Sequence, residues 1–202
     1  MLNVSSIEIP YNRLLARLGY LHTKTKLDIK TVCSIKENLN LAQKLIKPKW
    51  AISFGNITLK EDLIFFENEY RIKSDNVAAL LKNCFKAYGV VVTIGDALEK
   101  KIDECLKKKE TFNALILDAA GSVAAEEIIT AANAQIKTHE AKSGNALTKR
   151  YSPGYGDWML EANKQFLNWI GTEQIGITLS KFYHMKPEKS VSALIGVKKA
   201  NS

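Results

Sequence analysis

The chain has 202 residues, of which 46% are hydrophobic and 25% are charged, and its formal net charge is +8. Both fractions are close to those of average soluble domains, which excludes the fibrous and disordered classes. No segment reaches the ~18 consecutive apolar residues of a membrane span, and the N-terminus lacks a signal-peptide pattern, so we expect a cytoplasmic protein.

The N-terminal segment, about residues 1–48, predicts two helices. Pro10 can open a first helix over Tyr11 to Leu18. Asp28 is placed to cap a second, longer helix, in which apolar residues recur at helical spacing as far as Pro48.

From Trp50 to Ile72 the pattern changes to short runs of β-branched and aromatic residues, separated by Gly, Asn or charged residues. This pattern predicts an antiparallel meander. Its expected strands are Ala51–Phe54, Ile57–Leu59, Leu63–Phe66 and Tyr70–Ile72.

The central part of the chain alternates helices with one apolar strand. A helix is expected from Ser74 through Cys84, and the apolar run from Ala87 to Ile94 is typical of a strand buried on both faces. Gly95 then leads into an amphipathic helix. The longest predicted helix runs from Glu110 to about Lys142, and its alanine content indicates close packing against a sheet.

The C-terminal part begins with a loop around Arg150. We expect a helix from about Met159 to Ile170, capped by Asp157, and then a hairpin formed by Ile177–Met185 and Ser190–Val197. Because the sequence has no internal repeat, low-complexity tract or long linker, we expect a single domain over the whole chain.

Cys33, Cys84 and Cys105 lie far apart without a Cys-x-x-Cys pair or a neighbouring histidine, so we expect reduced, mostly buried thiols and no metal site. The three histidines are also scattered. Lysine runs favour a surface that attracts an acidic partner. Nucleic acid is not expected as a partner, because no binding motif accompanies the charge.

The most distinctive stretch is Arg150-Tyr151-Ser152-Pro153-Gly154-Tyr155-Gly156-Asp157-Trp158, followed by Ser190-Val191-Ser192-Ala193-Leu194-Ile195-Gly196-Val197. Together they resemble the C-terminal activation domain of cobalamin-dependent methionine synthase. A weaker match, over Val91–Gly95 and Leu117–Glu126, is similar to the short, free-standing relatives of that domain. The resemblance implies an α+β fold in which helices flank a bent antiparallel sheet, and it hardly extends to residues 1–70.

The resemblance also implies an S-adenosylmethionine site. Arg150 matches an arginine that contacts the ligand in the family, and a guanidinium can bind a carboxylate through two hydrogen bonds. Ser152 and Tyr155 lie where the family makes backbone and aromatic contacts, and Gly154 lets the backbone approach a ligand. The alternative is an ordinary Pro-Gly turn with Tyr155 packed as a half-buried side chain.

Glu126 lies at about the place of a family glutamate near the methionine amine, although Glu127 is an alternative register. Ile195-Gly196 stands where the full-length enzyme has an aromatic pair, and the family's N-terminal ligand-binding aspartate has no counterpart. Gly154-x-Gly156 follows a proline rather than a strand and lacks a third glycine, so a Rossmann methyltransferase is rejected.

By resemblance, the chain would be a stand-alone activation subunit that presents S-adenosylmethionine during reductive remethylation of a corrinoid. Such methyl transfer needs positioning of two reactants, so no catalytic side chain is expected. Because the cobalamin-ligating Asp-x-His-x-x-Gly signature is absent, a partner methionine synthase chain would carry the cobalamin. The electron donor would be a flavodoxin or ferredoxin. Two alternatives stay open: a reactivator of another corrinoid methyltransferase, and a non-enzymatic cap that does not bind S-adenosylmethionine.

Overall fold

The computed structural model describes residues 7–20, 26–67 and 70–200. The helices in these ranges are α1 Tyr11–Arg17, α2 Ile29–Leu45, α3 Asp75–Leu81, α4 Ala97–Lys107, α5 Thr111–Ala141 and α6 Asn163–Ile170, with 3-10 turns at Leu160–Ala162 and Thr172–Ile175. The strands are β1 Lys49–Lys60, β2 Leu63–Phe66, β3 Arg71–Lys73, β4 Lys86–Thr93, β5 Asn145–Leu147, β6 Thr178–Leu179, β7 Met185–Lys186 and β8 Ser190–Lys199.

Six strands form one antiparallel sheet in the order β3-β2-β1-β4-β8-β5, and β6 and β7 form a separate ribbon. Helices flank the sheet, so the predicted α+β class and its antiparallel architecture are confirmed.

The meander has three strands, and the prediction of four was wrong. Gly55 and Asn56 were expected to break the chain, but both lie inside β1 and pair with Ala87 and Lys86 of β4. The next residue, Ile57, pairs instead with Phe66 of β2. β1 therefore changes partner at these small and polar residues without ending.

The two faces of the sheet bury two separate cores, because successive side chains of a strand point to opposite faces. On one face, β4 and β8 pack against α1, α2, α4 and α5. On the other face, they pack against α3, α6 and Trp158. In β4, Val90 and Val91 point into different cores and are both fully buried, as the apolar run predicted.

The N-terminal helices form as predicted. α1 follows Pro10, and Asp28 caps α2 by accepting a hydrogen bond from the Thr31 backbone N–H at 3.0 Å. α5 packs closely against its neighbour α4 at Gly121, where an added Cβ would lie 2.8 Å from Leu98 Cδ2. None of the helices in the described ranges has the length and apolarity to cross a membrane.

The C-terminal prediction needs two corrections. Asp157 does not cap the helix that follows it but accepts hydrogen bonds at the start of α3, from the Ser74 hydroxyl at 2.6 Å and the Asp75 backbone N–H at 2.6 Å. The predicted hairpin is also wrong, because β8 pairs with β4 and β5 rather than with the preceding residues. The short partner strand β5 was not predicted.

One buried charge holds the end of α5 to the sheet. Glu140 is 3% exposed and accepts hydrogen bonds from Lys86 Nζ at 2.5 Å, Tyr88 Oη at 2.6 Å and Asn145 Nδ2 at 2.7 Å. Burial by itself raises the pKa of Glu140, but these three hydrogen bonds outweigh burial and lower the pKa to about 2.

Candidate ligand-binding groove

A groove of about 880 Å³ opens beside the first half of β8. Its walls come from four places: the middle of α5, the loop before α6, the start of α6, and the segment between β6 and β8. The charged and imidazole side chains that line it are Glu126, Arg150, His184, Lys186 and Glu188, and the large apolar or aromatic ones are Tyr151, Tyr155, Leu160, Phe182, Met185 and Val191.

The loop that carries Arg150 is attached directly to β8. Tyr151 and Leu194 exchange two backbone hydrogen bonds, at 3.0 and 2.7 Å. The Ser152 hydroxyl donates to the Ser192 carbonyl at 2.6 Å. The Ser152 side chain therefore holds the loop to β8. The contact with a ligand that the resemblance implies is left to its backbone, which lies in the groove wall.

The Pro153-Gly154 turn presents Tyr155 to solvent. Gly154 has φ +94°, a conformation that favours glycine, and its N–H donates to the Trp158 carbonyl at 2.7 Å. The Tyr151 hydroxyl donates to the Tyr155 carbonyl at 3.0 Å. The Tyr155 side chain is 67% exposed, so the alternative in which it packs as a half-buried residue is not what the structure has.

The far end of the loop is anchored in the second core. Trp158 is buried, stacks on Tyr151 with ring centroids 6.3 Å apart, and meets Phe166 edge-on at 5.2 Å. The hydrogen bond from the Ser74 hydroxyl, with further bonds from Asn76, lowers the pKa of Asp157 and keeps it charged at the start of α3. The loop is thus fixed at both ends while its turn stays exposed.

Arg150 and Glu126 meet across the groove wall. Arg150 Nη2 lies 3.2 Å from Glu126 Oε2, and the two side chains are 33% and 47% exposed. Glu127 points elsewhere and pairs with Arg13 of α1. Of the two glutamates that the sequence left open, Glu126 lines the groove and Glu127 does not.

Ile195 and Gly196, which stand where the full-length enzyme of the resembled family has an aromatic pair, do not line the groove. Ile195 is fully buried in the core that contains α5. An added Cβ on Gly196 would lie 2.5 Å from Leu81 Cδ2 and 2.6 Å from Cys84 Sγ. The part of β8 that does line the groove is Ser190 to Ala193.

Several groove residues were missed from the sequence. Asn163 begins α6, Phe182 and His184 lie in the turn between β6 and β7, and Glu188 precedes β8. No motif marks them: Asn163 reaches the groove from the start of α6, and the other three reach it from the segment between β6 and β8. The sequence offered one signal, an aromatic pair between Lys181 and His184, and the structure leaves Phe182 64% exposed.

The described residues include no group of three or more His, Cys, Asp or Glu side chains that could hold a metal ion. All three cysteines are free, but only Cys105 is buried; Cys84 is intermediate and Cys33 is exposed, so the expectation of mostly buried thiols was wrong. His139 and His184 are exposed, and His22 lies outside the described residues.

The predicted lysine surface is partly neutralised within α4 and its flanks. Lys100 pairs with Asp96 at 2.6 Å and Lys101 with Glu104 at 3.0 Å. The run Lys107–Lys109, at the end of α4 and in the turn before α5, is exposed.

Comparison with known proteins gives a structural match without a sequence match. No family model matches the sequence, and no curated protein matches it. Among solved structures, the chain is similar to the MetH reactivation domain bound to AdoHcy, with a TM-score of 0.67 and 10% sequence identity. The similarity covers 94% of this chain and 74% of that chain. At this identity the likeness shows a shared fold.

Proposed function

We propose that this chain is a stand-alone activation subunit of a cobalamin-dependent methionine synthase and binds S-adenosylmethionine in the groove. The observation that carries the proposal is the Arg150–Glu126 pair, which presents a cation and an anion 3.2 Å apart in the groove wall. The ligand's amino-acid end carries the complementary carboxylate and ammonium. The fold shared with a reactivation domain bound to AdoHcy supports the same ligand class.

The pair suits exchange of partners. An ion pair this exposed contributes about 0–1 kcal/mol, because water solvates and screens both charges. A ligand can bring its own carboxylate to Arg150 and its ammonium to Glu126. Breaking the Arg150–Glu126 ion pair then costs little of the binding free energy. The guanidinium can form two parallel hydrogen bonds with the carboxylate, which fixes its orientation as well as its position.

The turn supplies the remaining contacts in this proposal. Gly154 lets the turn pack closely against Leu160, since an added Cβ would lie 3.1 Å from Leu160 Cδ1, and Tyr155 offers an exposed aromatic face. Ser152 keeps this turn attached to β8. The five residues Glu126, Arg150, Ser152, Gly154 and Tyr155 thus form the proposed S-adenosylmethionine site.

The corrinoid belongs to a partner chain in this proposal, and bound cobalamin would supply the nucleophile that accepts the methyl group. This chain would orient the sulfonium toward that partner. The exposed lysines between α4 and α5 would attract an acidic electron donor such as flavodoxin or ferredoxin.

Calorimetric titration with S-adenosylmethionine tests the proposal. Arg150→Ala should weaken binding about 30-fold or more, because it leaves the ligand carboxylate without its cation. Arg71→Ala is the matched control: Arg71 lies on β3 against the Phe65 ring and does not line the groove, so its loss should leave affinity unchanged.

Circular dichroism should show that both variants are folded. Unchanged affinity in folded Arg150→Ala would contradict the site. Absence of binding to the wild-type chain, even with a corrinoid partner present, would contradict the proposed function and favour the non-enzymatic cap.

A further inference from the structure

One buried acceptor in the groove wall has no partner in the described part of the chain. Asn163 is 3% exposed, and its Nδ2 donates to the Tyr183 carbonyl at 3.0 Å. Its Oδ1 accepts no hydrogen bond from the described residues. Asn133 Oδ1 and Trp169 Nε1 are also buried and unpaired, but of these three side chains Asn163 alone lines the groove.

A buried acceptor without a donor is costly, so native proteins generally pair such groups with a neighbour, a water molecule or a ligand. The hydrogen bond from Asn163 Nδ2 to the Tyr183 carbonyl fixes the orientation of the side-chain amide. The Nδ2 donor is thereby occupied by the turn between β6 and β7. Asn163 lines the groove, so a ligand that packs against this wall is the candidate donor to the buried Oδ1.

The residues around Asn163 suit a flat heterocycle. Leu160 lies one turn earlier in the chain, and Phe182 immediately precedes Tyr183, the partner of the Asn163 amide. Leu160 also lies next to the Gly154 turn that presents Tyr155, since an added Cβ on Gly154 would be 3.1 Å from Leu160 Cδ1. Leu160, Phe182 and Tyr155 give the wall apolar and aromatic surfaces, although the segment that carries Phe182 also contributes His184, Lys186 and Glu188; Arg150 and Glu126 make a separate charged part.

We infer that Asn163 Oδ1 accepts a hydrogen bond from the exocyclic amine of the ligand's adenine and so selects adenosyl over inosyl ligands. The inference rests on the proposed function, in which Arg150 and Glu126 hold the amino-acid end. The ligand's ammonium is then used, and its remaining donors are the ribose hydroxyls and the adenine amine. The aromatic surroundings of Asn163 fit the base better than the ribose.

The test compares two stable ligands, S-adenosylhomocysteine and S-inosylhomocysteine, in which a carbonyl oxygen replaces the amine. Wild type should bind the adenosyl ligand about 10- to 100-fold more tightly, because the inosyl oxygen would face Oδ1 without a proton between them. In Asn163→Ala, the ratio of the affinity for the adenosyl ligand to that for the inosyl ligand should fall to about 3 or less. Loss of the Tyr183 bond would weaken both ligands together and leave the ratio unchanged, so the ratio isolates the proposed contact.

Asn133→Ala is the matched control, since it removes a buried, unpaired amide oxygen that does not line the groove, and it should retain the wild-type ratio. If Asn163→Ala does not fold, Asn163→Ser provides a short polar side chain for the same measurement, with the same expected loss of discrimination.

The outcomes separate this inference from the proposed function. Wild-type binding of both ligands with equal affinity overturns the inference and leaves the proposed function standing, whereas binding of neither ligand overturns both. A ratio that survives in the Asn163 variants also overturns the inference. So does a result in which those variants lose discrimination against a 2′-deoxyribose or 3′-deoxyribose analogue, because Asn163 would then contact the ribose.

Discussion

Two glutamates of the same helix, α5, have opposite surroundings. Glu140 is buried and receives three hydrogen bonds, two of them from alternate positions of β4, Lys86 and Tyr88. Glu126 is 47% exposed, and among the described residues its side chain accepts a hydrogen bond only from Arg150. The first glutamate fixes the helix to the sheet, whereas the second can change its partner at little cost.

The difference follows from where α5 lies over the sheet. Its C-terminal end covers the start of β4 and meets β5, so Glu140 faces donors that the sheet holds in place. The middle of α5 reaches the beginning of β8, where the loop of Arg150 leaves a groove open to solvent. One helix thus provides both a rigid support and a proposed ligand contact.

Removing the buried carboxylate should have the largest effect on stability. Glu140→Ala leaves Lys86 and Tyr88 without their acceptor in a site that water hardly reaches, and breaking such a pair costs about 3–5 kcal/mol of unfolding free energy. Urea denaturation monitored by circular dichroism measures this loss. A change below about 1 kcal/mol would mean that the network does not hold α5 to the sheet.

Acid should also lower the free energy of unfolding, because it protonates Glu140 in the wild-type chain. The pKa of Glu140 is about 2 in the folded chain and near its ordinary value of 4.5 in the unfolded chain. The stability that the ionised Glu140 contributes is therefore complete above about pH 4.5. As the pH falls toward 2, this contribution to the free energy of unfolding is lost, by up to about 3 kcal/mol.

Glu140→Gln cannot titrate at this position and is the control for the acid effect. Its unfolding free energy, measured in urea at several pH values, should fall less steeply between pH 5 and pH 2.5 than that of wild type. Parallel slopes would show that other carboxylates account for the acid sensitivity.

The sequence predicted the elements that depend on local signals. The cap at Asp28, the start of a helix at Ser74 and the doubly buried strand β4 were predicted because each signal lies within one segment. Asp157 was misassigned because its partners, Ser74 to Asn76, are distant in sequence. A capping residue looks the same whether it serves the next helix or one from another part of the chain.

In the candidate site, too, residues within one contiguous motif could be named from the sequence, whereas residues brought in by tertiary packing could not. The Arg150 loop carries a contiguous motif, so its residues could be named, and the structure brings them together with Glu126. Asn163 and Phe182 have no motif and enter the groove through tertiary packing of α6 and the β6–β7 ribbon. Sequence position alone also does not show which part of β8 borders the groove, namely Ser190 to Ala193 and not Ile195-Gly196.

The smallest effect on stability should come from Glu126→Gln, which nevertheless should weaken S-adenosylmethionine binding about 10-fold. The exposed pair with Arg150 contributes about 0–1 kcal/mol to folding, but the ligand ammonium loses its charged acceptor. Glu127→Gln is the matched control, because it removes the adjacent carboxylate, which pairs with Arg13 and not with Arg150.

Comparing the two variants by urea denaturation and calorimetry decides between the neighbouring glutamates. Glu127 is 19% exposed, so Glu127→Gln should destabilise the fold at least as much as Glu126→Gln while leaving the affinity near that of wild type. The reverse pattern, with affinity lost only in the Glu127 variant, would place the ammonium beside α1 and Arg13. Stability and affinity would then depend on the same residue, and the separation of the two roles along α5 would fail.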